Sequence, residues 1–201
     1  TAVAIAAEAV DRLRTTGESH RRCMVLEVMG RDAGWISLHA GMAGGAQVML
    51  LPEYPESLEQ VCAWVTSVRD RGRSSLVVVA EGFRIDGADQ AVTRQWLDGF
   101  GRPRLGGVAE VLAPLIEAGT GIETRATVLG HVQRGGSPTA FDRVLATRTG
   151  IAAADAALAG SWGTMAALRG DQIEMVPFSA AVDRLKTVPE ARYAEVRLNF
   201  G

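Results

Sequence analysis

Lysine is nearly missing from this chain: Lys186 is the only one among 21 basic residues, and the rest are arginine. That argues against Schiff-base chemistry and against a P-loop lysine. Phosphate recognition is left to guanidinium groups, which grip it bidentately. Cysteine is as scarce. Cys23 and Cys62 share no ligand spacing and both lie in apolar segments, which fits buried thiols in a reducing, cytoplasmic compartment and not a zinc site or disulfide. Aromatic residues make up 5% of the chain, and the tryptophans at 35, 64, 96 and 162 are scattered. They read as packing, not as a stacking platform. The net charge of −2 gives no electrostatic case for nucleic acid or membrane as a partner. No apolar run approaches membrane-spanning length and no signal peptide is visible.

What is present is an ample core. The 201 residues are 47% hydrophobic, enough for one large domain or a domain plus an appendage. The chain opens on an amphipathic helix with Ala2, Ile5, Ala6, Ala9, Val10 and Leu13 on one face. Because Thr1 is not an initiator methionine, the expectation is a piece of a larger protein. Strand and helix signals then alternate. Strands are expected at 23–28, 48–51, 76–80 and 125–129, the third a continuous β-branched run of the kind buried on both faces. Helices are expected at 33–43, 58–71, 108–118 and from 138 to about 159. The helix at 33–43 should stop and pack closely at Gly44 and Gly45. Residues 86–103 read as a polar excursion. Strands at 165–168 and 173–176 form a β-hairpin, followed by a short helix near 180–185 and a polar tail. The fold class is therefore α/β: a three-layer parallel-sheet domain with helices on both faces and a C-terminal β-hairpin.

Three strands end in polar residues that apolar packing does not explain. They are Met29, Gly30 and Arg31 after the first, Glu81 and Gly82 after the third, and Gly130-His-Val-Gln-Arg134 after the fourth. Ligands of open α/β sheets bind outside the carboxyl ends of strands. There, two arginines and a histidine suit a phosphate and one carboxylate suits hydroxyls. The segment 123–138 carries most weight. It reads as a buried strand emptying into a His/Arg/Gly loop and then a helix, with Ser137 as N-cap and Pro138 at the first helical position. The positive end of such a helix favours phosphate. The competing reading is an ordinary strand–turn–helix with a surface His and Arg. Arg22 and Arg125 stand at strand beginnings, roughly 17–20 Å from that crevice at the rise of a β-strand. If they bind phosphate it is at a neighbour's site; otherwise they are solvated edge charges. His39 lies in an apolar helix and reads as core or surface.

Glu27-Val-Met-Gly-Arg-Asp-Ala-Gly-Trp35, Ala80-Glu-Gly82 and Glu123-Thr-Arg-Ala-Thr-Val-Leu-Gly-His-Val-Gln-Arg-Gly-Gly-Ser-Pro138, in this order, resemble the 6-phosphofructokinase family. The likeness extends to residues 9–14 and 141–146 and is greatest to the branch holding pyrophosphate-using and related ATP-using bacterial enzymes. The resemblance implies phosphoryl transfer to fructose 6-phosphate, giving fructose 1,6-bisphosphate in glycolysis, with Mg²⁺ and with ATP or pyrophosphate as donor. It implies that Met29, Gly30 and Arg31 hold the sugar phosphate and that Arg31 also faces the transferred phosphoryl group. It further implies that Glu81 binds sugar hydroxyls and that His131 and Arg134 grip the 6-phosphate. Arg22 and Arg125 would reach it from the neighbouring subunit of a homo-oligomer. The family's phosphate and metal loop and its catalytic-base segment are not in these residues. The chain is therefore expected to be the C-terminal, sugar-phosphate-binding portion of a subunit, without the donor-binding portion and inactive alone. Arg14, Arg71 and Arg73 keep the cationic character of the family's effector site, while Gln47 and Ser74 depart from it. Two other functions compete: a non-catalytic sugar-phosphate-binding module, and a dimerisation piece whose arginines only pair carboxylates.

Overall fold

Continuous apolar runs make the strands and amphipathic runs the helices. The computed structural model describes residues 1–86 and 107–201. The elements are α1 (Ala2–His20), β1 (Cys23–Val28), α2 (Trp35–Gly44), β2 (Val48–Leu50), α3 (Leu58–Asp70), β3 (Leu76–Ala80), α4 (Val108–Thr120) and β4 (Thr124–Val128). A 3₁₀ turn, Gly130–Arg134, follows, then α5 (Ala140–Leu158), β5 (Thr164–Arg169), β6 (Gln172–Pro177), α6 (Phe178–Val182) and α7 (Glu190–Arg197). Most of the polar excursion expected at 86–103, and Trp96 with it, lies outside the described residues.

The chain divides into two compact units, one of Gly136–Lys186 with Thr1, the other of Ala2–Gly135 with Thr187–Gly201. The larger is a parallel sheet in the order β2-β3-β1-β4. Every residue of β1 and β3 is buried, as strands covered on both faces require. Side chains alternate across the pleat. Met24, Leu26 and Val28 join Ala6, Val10 and Leu38 in one core; Cys23 and Val25 join Val61, Val65, Leu112 and Ile116 in the other. Helices α1 and α2 thus cover one face, α3 and α4 the opposite one. Helix α3 starts where the Ser57 side chain accepts from the Gln60 N–H at 3.1 Å. Helix α2 ends on Gly45, whose φ of 69° is the left-handed conformation that glycine adopts without strain. Gly44 is needed as well, since a Cβ there would stand 2.2 Å from Val10 Cγ1. The smaller unit holds α5, the antiparallel hairpin β5-β6 and α6. The hairpin turns over Gly170 and Asp171, Arg169 pairing with Gln172.

Three expectations need correction. Strand β4 is not buried: Arg125, Ala126 and Val128 are exposed, because it forms the sheet edge and bonds only to β1. Ser137 does not cap the helix that follows. Helix α5 starts at Ala140, and Thr139 is the cap, its side chain accepting from the Asp142 N–H. The last residues are not a mere polar tail, because α7 buries Tyr193 and Val196 in the α1/α2 core.

Glu27 is the one charged residue in the buried strands. It points to the α4 side, where its carboxylate accepts from the N–H of Gly107 at 3.0 Å and of Ala109 at 2.9 Å. These are among the N–H groups that the first turn of a helix leaves without an internal partner. Burial pushes the Glu27 carboxyl up, and the two N–H bonds only partly offset it. A folded-state pKa above the unfolded one stabilises below the unfolded value and loses that contribution as pH rises through the folded one. The stability advantage of wild type over Glu27→Gln should therefore shrink as pH rises from the acid side to neutrality in urea titrations. An advantage that grows with pH would show that the N–H bonds outweigh burial.

Candidate functional site

The carboxyl ends of β3, β1 and β4 lie side by side, since Val28 registers with Ala80 and Glu27 with Val128. The loops leaving them are bonded to one another. From β3, Glu81 accepts the Gly30 N–H on Oε1 at 3.3 Å, and the Gly82 N–H returns a bond to Gly30 O at 3.0 Å. From β4, Gln133 Oε1 accepts the Met29 N–H at 3.3 Å, while its Nε2 donates to Gly130 O at 3.3 Å. Glycine is required at two of these places. Gly30 has φ of 148°, and a Cβ on Gly82 would stand 1.8 Å from the Arg31 carbonyl oxygen.

The Gly130–Arg134 turn explains how its polar residues are sorted. Residues three apart eclipse one another in a 3₁₀ helix, so His131 and Arg134 share one side. Both are exposed, while Gln133 turns inward and is 1% exposed. Arg31 is exposed too, and Glu81 is half-buried. The structure thus gathers Met29, Gly30, Arg31, Glu81, His131 and Arg134 on the loops of one sheet edge. Sequence reasoning missed Gln133 and Glu27 as the residues that hold these loops and α4. Gln133 stands between His131 and Arg134, and the turn's period of three was the available signal.

Arg22 and Arg125 are not brought to that edge. Arg22 precedes β1 and Arg125 registers with Met24, at the amino ends of the strands. Glu123 holds both: Arg22 Nε lies 2.7 Å from Glu123 Oε2, and Arg125 pairs with Glu123 Oε1. The Arg22 guanidinium, then the Arg125 charge, keep the half-buried Glu123 carboxyl below the usual carboxylate range. A cavity of about 710 Å³ opens beside Arg22, walled by Arg21, Arg69, Arg73, Glu18 and Glu123.

Other expectations resolve simply. Cys23 is fully buried, and burial pushes its thiol up to about 12, so it is inert, whereas Cys62 is not buried as expected but half-buried on α3. His39 is exposed on α2 beside Trp35, ring centroids 5.5 Å apart. Gln47 uses both ends of its amide on backbone, accepting from Leu76 N–H at 2.9 Å and donating to Gly45 O at 3.1 Å. Among the described residues no three His, Cys, Asp or Glu side chains cluster to hold a metal ion. No described helix is long and apolar enough to cross a membrane.

Gln133→Ala should cost about 1–3 kcal/mol in urea unfolding, because it strands the Met29 N–H. Gly82→Ala should cost about 1–3 kcal/mol through overpacking against the Arg31 carbonyl. Stability unchanged in both variants would mean that the loops are not held to one another as described.

Comparison with known proteins follows the same lines. The family model described as Phosphofructokinase matches residues 1–157. A Streptomyces coelicolor protein named pyrophosphate–fructose 6-phosphate 1-phosphotransferase is 56% identical over the whole chain. A Mycobacterium tuberculosis (H37Rv) protein named ATP-dependent 6-phosphofructokinase is 50% identical, also over the whole chain. The chain spans 59% of the length of each. Among solved structures, the pyrophosphate-dependent phosphofructokinase of Nitrosospira multiformis superposes with a TM-score of 0.78 at 25% identity. That match covers 94% of this chain and 48% of the other. Saccharomyces cerevisiae phosphofructokinase gives 0.75 at 30%, covering 98% and 24%. With its sheet and its sequence in agreement, the chain belongs to the phosphofructokinase family.

Proposed function

We propose that these residues form the acceptor side of a 6-phosphofructokinase that moves a phosphoryl group onto the 1-hydroxyl of fructose 6-phosphate, a glycolytic reaction placed in the cytoplasm. The observation that carries this reading is the mutual bonding of the three strand-end loops through Glu81 and Gln133. It presents a carboxylate, an imidazole and two guanidinium groups on one edge. In such a site His131 and Arg134, three residues apart on one turn, hold the 6-phosphate. Charge-assisted bonds from a cation to phosphate are the strong ones. Glu81 accepts from sugar hydroxyls. The backbone of Met29 and Gly30 lies against the sugar phosphate, and Arg31 stabilises charge on the transferring group.

Phosphoryl transfer needs little covalent help from the protein beyond position and charge. The phosphorus–oxygen bond to the donor breaks, a bond to the sugar's 1-oxygen forms, and the hydroxyl proton goes to a base. We place that base, the Mg²⁺ ligands and the donor site outside these 201 residues. Relatives named for pyrophosphate and for ATP both align over the whole chain, which supports an acceptor side common to both donors. Arg22 and Arg125 then serve a neighbouring subunit's site, as their place at the opposite edge of the sheet supports. The relatives named above are all named for catalysis, and that favours an enzyme over a non-catalytic binding module or a dimerisation piece.

Calorimetry with fructose 6-phosphate on the full-length protein tests the site. His131→Ala and Arg134→Ala should each weaken binding by about 10–150-fold, the range for losing a bond to a charged group. Unchanged affinity in both would refute the assignment. The 201-residue chain alone should show no turnover with either donor in a steady-state assay; normal rates would contradict the placement of the base.

A further inference from the structure

One carboxylate outside the described loops touches both the start of α2 and the C-terminal segment. Glu53 sits just after β2, in the connection to α3. The backbone N–H of Gly34 donates to its Oε1 at 3.1 Å and to its Oε2 at 3.0 Å. The N–H of Val188 donates to the same Oε1 at 2.9 Å. Gly34 is the N-cap residue of α2 and has no side-chain cap of its own, so Glu53 supplies the acceptor that this helix end lacks. Its negative charge also suits the positive end of the helix.

The position matters because of what lies between. Gly34 follows Arg31 by three residues. The near end of this short loop is held by Glu81 and Gly82 at Gly30. The far end is held by Glu53. Space is tight there too, since a Cβ on Gly34 would stand 2.3 Å from Leu51 Cγ. Tyr54, the next residue, donates its hydroxyl to Val188 O at 2.7 Å and stacks on Tyr193 with centroids 4.5 Å apart and planes 7° apart. Glu53 and Tyr54 therefore take both backbone polar groups of Val188, and the carboxylate that does so is shared with the Arg31 loop.

We propose that Glu53 is a positioning residue for Arg31: it fixes the far end of the sugar-phosphate loop and ties that end to the docked segment Thr187–Gly201. The inference rests on the reading above, in which Arg31 meets fructose 6-phosphate. A carboxylate suits the place because it accepts on both oxygens. A carboxamide would turn an N–H donor toward one of the backbone donors.

The test is steady-state kinetics on the full-length protein with fructose 6-phosphate and its donor, comparing wild type, Glu53→Gln and Tyr54→Phe. Glu53→Gln should raise KM for fructose 6-phosphate about tenfold, the effect of losing one charge-assisted bond. KM for the donor should stay within about twofold. Tyr54→Phe removes only a Val188 contact, so it should lower the melting temperature and leave both KM values unchanged. A Glu53→Gln protein that melts earlier with an unchanged KM for the sugar phosphate would overturn the proposal, as would equal rises in both KM values. Hydrogen exchange in wild type needs no variant: fructose 6-phosphate should slow exchange of the Gly34 amide, and no slowing would count against the proposal even if Glu53→Gln does not fold. A wild type without turnover on fructose 6-phosphate would instead strike the functional reading itself.

Discussion

Three adjacent parallel strands release their chains at one edge of the sheet, and the loops they release are bonded to one another. That bonding is the constraint on which the site depends. β1 delivers Met29, Gly30 and Arg31; β3 delivers Glu81; β4 delivers the turn with His131 and Arg134. Without the Gln133 bond to Met29 N–H, the Glu81 bond to Gly30 N–H and the Gly82 N–H bond to Gly30 O, each loop would be an independent surface segment. Ordering each residue would then cost about 1–2 kcal/mol of backbone entropy on binding. With them, most of that ordering is done by folding. Gly82 completes the arrangement by allowing the β3 loop to lie against the Arg31 carbonyl.

A division of labour between charges follows. Carboxylates do the holding: Glu27 caps α4, Glu53 caps α2 and anchors Val188, and Glu123 pairs Arg22 with Arg125. Glu27 and Glu53 satisfy backbone N–H groups, and Glu123 sits between two guanidinium groups. The cationic side chains at the carboxyl edge, Arg31 and Arg134, are exposed instead. In a chain with one lysine, this puts planar guanidinium groups where a phosphate would be gripped.

The fold was legible where burial is continuous. β3 read as a strand covered on both faces and β1 as a short apolar strand, and both are buried throughout. The hairpin and the stop at Gly45 were legible from turn chemistry. β4 was misread because its place between two helical segments suggested a covered strand, whereas its arginine and threonines suit the edge position that the strand order gives it. The cap of α5 was misread because Ser137 and Thr139 both suit the role, and Pro138 made the earlier start attractive. α7 was hidden because it buries only two side chains. In the site, the strand-end residues were visible as polar groups where apolar ones were expected. Glu27 and Glu53 were not, because their partners are backbone N–H groups distant in sequence, and no side-chain pattern announces those; for Gln133 the period of its turn was the one signal.

The central claim is that one phosphorylated hexose sits on the edge formed by these three loops. A crystal structure of the full-length protein with fructose 6-phosphate tests it most directly. The account predicts the 6-phosphate on His131 and Arg134, hydroxyls on Glu81, and Arg22 and Arg125 arriving from an adjacent subunit. A sugar phosphate bound anywhere else, with the carboxyl edge of β3, β1 and β4 in solvent, would contradict it.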